Sequence, residues 1–417
     1  VADGLITRSP PENAREEGLR DTLPARIRLG YRLTPWWVRV LVVFGLSRIV
    51  STVFLLGFAR VQQMNPWTLS SPDYGSYAKI WDGTWYEIVA QSGYPSILPF
   101  TVDGHVGQNA WAFLPLYPAL IRGLMVLTGA AFAPVAVFVS LVAAAGAALV
   151  IYRLLRRFLP EGSSLFAILL FCVAPLSPLY QVAYAESLFL LLLATALLLL
   201  LQRRYWSMLA VIAVAAFTRP GVVAFALALA LYGVVRWVRR EDEPFPRRER
   251  VTVAVTAVAS GLLGFAWPAI AALATGRLSA YTDTELSWRA DYIGYGELFP
   301  FASWVQGANW WFPGGSGLLF LGVTLVLFAL FLVSPWVRRM PVELRLWVVA
   351  YSVYLLAVFF PQSSTFRVLM PLFPLLGALA VPRSRLFRVG LVLVCVAGQW
   401  IWLYACWWVN GADWTPP

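Results

Sequence analysis

Apolar residues run through this chain in long blocks, broken by short basic or aromatic-rich stretches. The blocks place helices at about 36–59, 133–155, 165–181, 184–201, 206–218, 221–237, 251–275, 317–336, 343–360, 365–381 and 387–409. Blocks near 20 residues match the length a helix needs to cross about 30 Å of hydrocarbon. One further block, 111–130, is long enough to cross but carries Pro115, Pro118 and Arg122. Proline interrupts the helical hydrogen-bond ladder, and a charge at membrane depth is costly. Residues 1–35, with Pro10, Pro11 and mixed charges, read as a disordered cytoplasmic tail, and 36–417 as one transmembrane domain.

The arginines decide how 111–130 is read. Basic residues gather in cytoplasmic loops, and Arg26, Arg28, Arg32 and Arg39 place the N-terminus there. If 111–130 does not cross, the clusters at Arg153/Arg156/Arg157, Arg203/Arg204, Arg236 through Arg250, Arg338/Arg339/Arg345 and Arg383/Arg385/Arg388 share that side. If it crosses, every later cluster changes face. The expectation is an all-α polytopic membrane protein of about eleven spans, N-terminus inside and C-terminus outside. Residues 111–130 then form a re-entrant or surface-lying part of a large outer loop, 60–132. A second outer loop covers 276–316, and both are dense in Trp and Tyr. The acids Asp73, Asp82, Glu87, Asp103, Glu186, Asp283, Glu285, Asp291 and Glu297 fall on the outer face.

Composition agrees: 60% hydrophobic, 13% charged, mean hydropathy +0.70. These values exclude an ordinary soluble domain. The net charge of +11 comes from short arginine-rich loops that serve anchoring, so no nucleic-acid partner is expected. Cys172, Cys395 and Cys406 lie in apolar blocks without metal-ligand spacing, and His105 is the lone histidine. No metal or cofactor is expected. The polar first 35 residues lack the apolar core of a cleavable signal peptide.

Candidate chemistry gathers at the outer boundary. Asp82 sits among Trp81, Trp85, Tyr86 and Tyr94 just beyond the first span. The segment 111–121, WAFLPLYPALI with Tyr117, has prolines that fix irregular backbone, tolerable at membrane depth when buried or lining a cavity. Residues 174–189 put Tyr184, Glu186 and Ser187 at a helix start, Arg219 follows the block 206–218, and Arg367 stands at the outer end of the span 365–381. Plainer readings exist. The rings suit a headgroup-level aromatic belt, Glu186 suits a helix N-terminus that Ser187 caps, and the arginines suit snorkelling. Asp283, Glu285, Asp291 and Glu297 read as a solvated loop face. Arg48 lies about ten residues inside the first span and requires a partner or a wet cavity.

Taken together, the pieces resemble the PIG-V family of membrane mannosyltransferases, within the lipid-phosphosugar-dependent class called GT-C. Ser47-Arg48 matches the family's Cys-Arg or Ser-Arg in the first span. Trp81-Asp82, Trp85-Tyr86 and Val89-Ala90 through Gly93-Tyr94 match its Trp-Asp motif and the aromatic and Ile-Ala-x-x-Gly-Tyr run that follows. Ala112-Phe113-Leu114-Pro115 matches Ala-Phe-Phe-Pro, and Ser177-Pro178 with Tyr184-Ala185-Glu186 matches Ser-Pro then Tyr-Ser-Glu. Arg219-Pro220-Gly221 keeps part of Arg-Ser-Asn-Gly. The resemblance covers about residues 45–225 in unbroken order; beyond it, only Phe366-Arg367 matches. The composition, rich in Ala, Leu, Val, Arg and Gly, fits a bacterial member.

The resemblance implies a GT-C-type fold and inverting transfer of mannose from polyprenyl-phosphate-mannose to a lipid or glycan acceptor at the extracytoplasmic face of the cell membrane. Asp82 is the expected base, and Arg367, Arg219 and Arg48 the expected phosphate ligands. Trp81, Trp85, Tyr86, Asp73, Tyr117, Tyr184 and Glu186 are the expected substrate contacts, with membrane lipids as surroundings. A lipid-carrier flippase, a protein O-mannosyltransferase and a non-catalytic envelope scaffold remain alternatives.

Overall fold

The computed structural model describes residues 33–296 and 299–409. Most of the expected tail, Arg26, Arg28, Arg32, Glu297 and residues 410–417 lie outside the described residues. The chain begins with α1 (Trp36–Val61), followed by α2 (Tyr74–Ala78), α3 (Asp82–Ser92) and α4 (Leu116–Thr128). Next come α5 (Phe132–Leu155), α6 (Glu161–Val173), α7 (Glu186–Leu201), α8 (Tyr205–Ala215) and α9 (Ala224–Val238). Then α10 (Arg247–Gly264) and α11 (Ala266–Thr275) lead to the shorter α12 (Ala280–Ser287), α13 (Ala290–Ile293) and α14 (Ala302–Trp311). The last part holds α15 (Ser316–Leu332), α16 (Pro335–Arg338), α17 (Val342–Val358), α18 (Thr365–Val368), α19 (Leu375–Leu379) and α20 (Arg385–Trp402).

Among the described residues, four stretches are long and apolar enough to cross a membrane: Trp36–Val61, Phe132–Leu155, Arg247–Thr275 and Arg385–Trp407. Outward faces stay apolar, as Leu46, Ile49 and Val53 on α1 and Leu319, Val326 and Leu330 on α15 are exposed. Contiguous exposed apolar surface of that kind suits lipid better than water.

Several apolar blocks are not single helices, and prolines account for most of the differences. The block 365–381 becomes α18, a 3₁₀ turn at Met370–Leu372 and α19, because Pro371 and Pro374 have no N–H to donate. The block 251–275 divides at Phe265, since Pro268 removes the bond that the Gly264 carbonyl would accept. The block 165–181 ends its α-helix at Val173, just before Pro175, and continues as a 3₁₀ turn, Ser177–Gln181, that carries Pro178 in its first turn. In 111–130 the helix α4 has 13 residues, about 20 Å of rise against about 30 Å of hydrocarbon. It packs on α3 and α5.

The core centres on α5 and α7. Ala143, Ala144, Ala147 and Ala148 on α5 and Ala194 on α7 are buried, and small side chains of this kind let helix backbones approach closely. A Cβ on Gly146 would stand 3.3 Å from the Leu191 methyls. α9 packs on α10 and α17. The buried indole of Trp347 on α17 meets Phe225 at 4.5 Å and donates to the Pro371 carbonyl at 3.0 Å. That bond fixes the broken segment that carries Arg367.

Candidate functional site

Asp82 opens α3 from a tight turn. Gly83 N–H donates to the Ile80 carbonyl at 3.3 Å, and Trp81 takes φ 60, ψ −123. That conformation belongs to the first central residue of a type II′ turn, a place glycine usually fills. A bulky residue there carries strain of about 1–3 kcal/mol. The Trp81 ring is buried against Trp67, centroids 5.4 Å apart. Gly83 permits a close seat on the chain before α7, since a Cβ there would lie 3.3 Å from the Ala183 carbonyl. Ala183 N–H donates to Ala78 O at 2.8 Å, and Asp82 N–H donates to the Tyr184 hydroxyl at 3.3 Å. Asp82 is thereby fixed beside the start of α7.

Three other polar side chains converge there. Glu186 is the first residue of α7, Arg219 follows the end of α8, and Arg367 lies in α18. Arg367 Nη1 pairs with Asp82 Oδ2, and Arg367 Nε stands 3.4 Å from Glu186 Oε1. Arg219 Nη1 pairs with that same Glu186 oxygen. The result is a continuous chain, Asp82–Arg367–Glu186–Arg219, in which two acids balance two arginines. The Arg367 guanidinium also lies over the Tyr184 ring, 5.5 Å from its centroid. Glu186 Oε2 and the Ser187 hydroxyl are buried without a hydrogen-bond partner among the described residues. The Ser187 hydroxyl therefore does not cap α7, which removes that part of the plainer reading. An unpaired buried acceptor costs about 1–3 kcal/mol, which a ligand that donates to Glu186 would recover.

A cavity of about 500 Å³ opens from this chain, within the range of small-ligand pockets. Arg219, Arg367 and Glu186 line its polar part, while Phe189, Leu190, Val223, Phe265, Leu355 and Met370 contribute apolar wall. Asp82 contacts the cavity through Arg367 and is not itself part of the lining. The sequence reading missed a further group on the lining, Tyr281, Thr282, Glu285, Arg289 and Tyr354. Tyr281, Glu285 and Arg289 recur every four residues, a spacing that sets them on one helical face. Asp283, on α12 rather than in a loop, is partly covered and pairs with Arg277 at 2.7 Å.

The remaining expected site residues lie elsewhere. Arg48 stands apart from the ion chain and is committed to other groups. It donates to the carbonyls of Cys172 at 2.6 Å and Ser177 at 2.5 Å, and to Gln181 Oε1 at 3.3 Å. Cys172 lies in the last turn of α6, where carbonyls lack intrahelical partners, and Ser177 opens the 3₁₀ turn that follows. Gln399 of α20 takes the carbonyl after that of Cys172, Val173 O, at 2.9 Å. Asp73 caps α2 by accepting from Ser76 N–H at 2.8 Å, and that bond holds its carboxyl below the usual range. Trp85, Tyr86 and Tyr117 are packing residues around Phe113: Trp85 stacks on it at 5.5 Å, Tyr86 meets it edge-on at 5.4 Å, and Tyr117 meets Tyr86 at 5.1 Å. The Tyr117 hydroxyl is bonded with Ser140 Oγ at 2.8 Å. Of the expected aromatic contacts, Tyr184 lies under the Arg367 guanidinium, Tyr86 is buried near enough to all four members of the ion chain to interact with them electrostatically, and Trp81 shapes the turn before Asp82. Among the described residues, no three His, Cys, Asp or Glu side chains come together as a metal cluster. Compared with known proteins, the chain matches no family model and no curated protein.

Proposed function

We propose that the protein is a polytopic GT-C-type glycosyltransferase, resembling PIG-V, that moves mannose from polyprenyl-phosphate-mannose to a lipid or glycan acceptor at the extracytoplasmic face. The observation that carries this reading is the pairing of arginines with an apolar cavity. Arg219 and Arg367 line a cavity whose remaining wall is largely apolar, so the phosphate of a lipid-linked sugar would meet them while its chain lies along that wall. Arginine's planar fork suits phosphate oxygens.

The chemistry follows from the ion chain. A phosphate arriving at Arg367 competes with Asp82 and Glu186 for the same guanidinium. Donor binding therefore loosens Asp82 from its partner, and a carboxylate so released takes the proton of the acceptor hydroxyl. The acceptor oxygen forms a bond to the sugar's anomeric carbon as the bond from that carbon to the phosphate oxygen breaks. The electron pair leaves with polyprenyl phosphate, whose charge the two arginines neutralise, and configuration inverts.

Asp82→Asn keeps the size of the side chain and removes its basicity. Transfer of labelled mannose from the lipid donor is expected to fall at least about 100-fold, the usual worth of a general base, with donor binding retained. Substantial residual transfer would move the base to Glu186, whose Oε2 is unpaired, ahead of Asp73, whose carboxylate is engaged as a cap. The donor site lies outside the cytoplasm in this reading, so turnover is expected in excess EDTA with the lipid donor and absent with GDP-mannose. Activity with the nucleotide sugar would overturn the assignment.

A further inference from the structure

The cavity has a second polar wall to which phosphate binding and proton transfer give no task. Tyr281, Thr282 and Glu285 on α12, with Arg289 after it and Tyr354 on α17, make up that wall. The helix is held from its other side. Asn109 Nδ2 donates to Thr284 Oγ1 at 2.8 Å, and Thr284 and Ser287 are buried with their hydroxyls on backbone carbonyls. Arg289 is committed as well, donating to Val358 O at 2.6 Å and lying 3.4 Å from Ser303 Oγ.

Glu285 is placed differently from Glu186. Among the described residues it forms no ion pair, although the Tyr281 hydroxyl and the Arg289 guanidinium lie close enough to influence it, as do Arg219 and Asp82 at longer range. Burial pushes its carboxyl above the usual range, and Arg289 opposes that rise. A phosphate is a poor occupant, because the acid repels it. A cation is a poor one too, because Arg289 and Arg219 repel it. Neutral hydroxyls fit: a carboxylate accepts from them in charge-assisted bonds, tyrosine rings lie against the apolar face of a sugar, and Thr282 both donates and accepts.

We infer that this wall is a binding site for a neutral polyol, with Glu285 accepting hydrogen bonds from adjacent hydroxyls and Tyr281 and Tyr354 holding the ring. Naming that polyol the headgroup of the acceptor rests on the transfer reading. Full-length protein in lipid nanodiscs would be titrated with octyl α-mannoside, with octanol as a tail-only control and dodecyl phosphate as a probe of the arginines. Octyl mannoside is expected to bind the wild type more tightly than octanol does. Glu285→Gln is expected to weaken it at least about tenfold, the loss typical of one hydrogen bond to a charged group. Tyr281→Phe, which keeps the ring, guards against a folding failure at Glu285 and is expected to weaken binding less. Dodecyl phosphate affinity is expected to stay within about twofold of wild type in both variants. Equal binding of octanol and octyl mannoside, unchanged octyl mannoside affinity in the variants, or loss of dodecyl phosphate instead would overturn the site. If these binding results hold while the wild type moves no mannose from the lipid donor, the transfer reading fails and the polyol site stands.

Discussion

Arg367 uses different nitrogens on two different acids, and that division sets what a conservative replacement does. Lysine at 367 offers one point charge and cannot meet Asp82 and Glu186 through two separate nitrogens as arginine does. Arg367→Lys is expected to lower kcat/KM for the lipid donor at least about tenfold. A variant matching wild type would pass the phosphate role to Arg219. Arg48→Met is expected to act differently. It leaves the Cys172 and Ser177 carbonyls buried and unpaired, at about 1–3 kcal/mol each. Thermal unfolding should occur at lower temperature, while the folded fraction keeps its donor KM; a raised KM with unchanged Tm would return Arg48 to the site. These two arginines show what was legible at this scale. Both stand out in the sequence as charges in apolar runs, so their need for partners is readable. The partners of Arg367 are acids, one of them 285 residues away, and acids are visible as letters. Those of Arg48 are mainly carbonyls, which every residue carries. Glu285 was missed because a loop rich in acids reads as solvated, whatever face each acid occupies.

At the scale of elements, apolar block length located the helices and proline position governed where they break. The sequence leaves unread how closely the broken ends approach. Two glycines on the cavity show this. Gly221 has φ +116, and a Cβ there would stand 3.1 Å from the Tyr351 ring. At Gly264 an added Cβ would stand 2.7 Å from the Val223 Cβ and 3.1 Å from its Cα. Gly264→Ala must therefore push α10 away from the turn before α9, at a cost of about 1–3 kcal/mol. Gly57→Ala on α1 meets nothing within 4 Å and serves as the comparison. Thermal unfolding in detergent is expected to show Gly264→Ala destabilised and Gly57→Ala equal to or above wild type. The reverse order would show that the cavity end of α10 is not tightly seated.

Across the whole molecule, polar chemistry is divided between two ends. The ion chain gathers at the start of α7 and the end of α17, whereas Arg203 and Arg204 follow the far end of α7 and Arg345 lies near the far end of α17. The sequence shows this division because arginine clusters alternate with aromatic loops along the chain. In the proposed orientation, reporters fused to the two termini are expected on opposite sides of the membrane. Finding both on one side would overturn the topology and with it the non-crossing of α4. The ion chain has a further consequence, for kinetics. Because Arg219 and Arg367 already carry their own counterions, they give a newcomer little free positive potential, so a ligand must displace an acid to reach them. In the proposed transfer, the donor would be a phosphodiester with a single negative charge, which displaces an acid less effectively than the spent carrier, a monoester with up to two. Departure of the carrier is then the expected slow step, with the acids that return to the arginines helping to expel it.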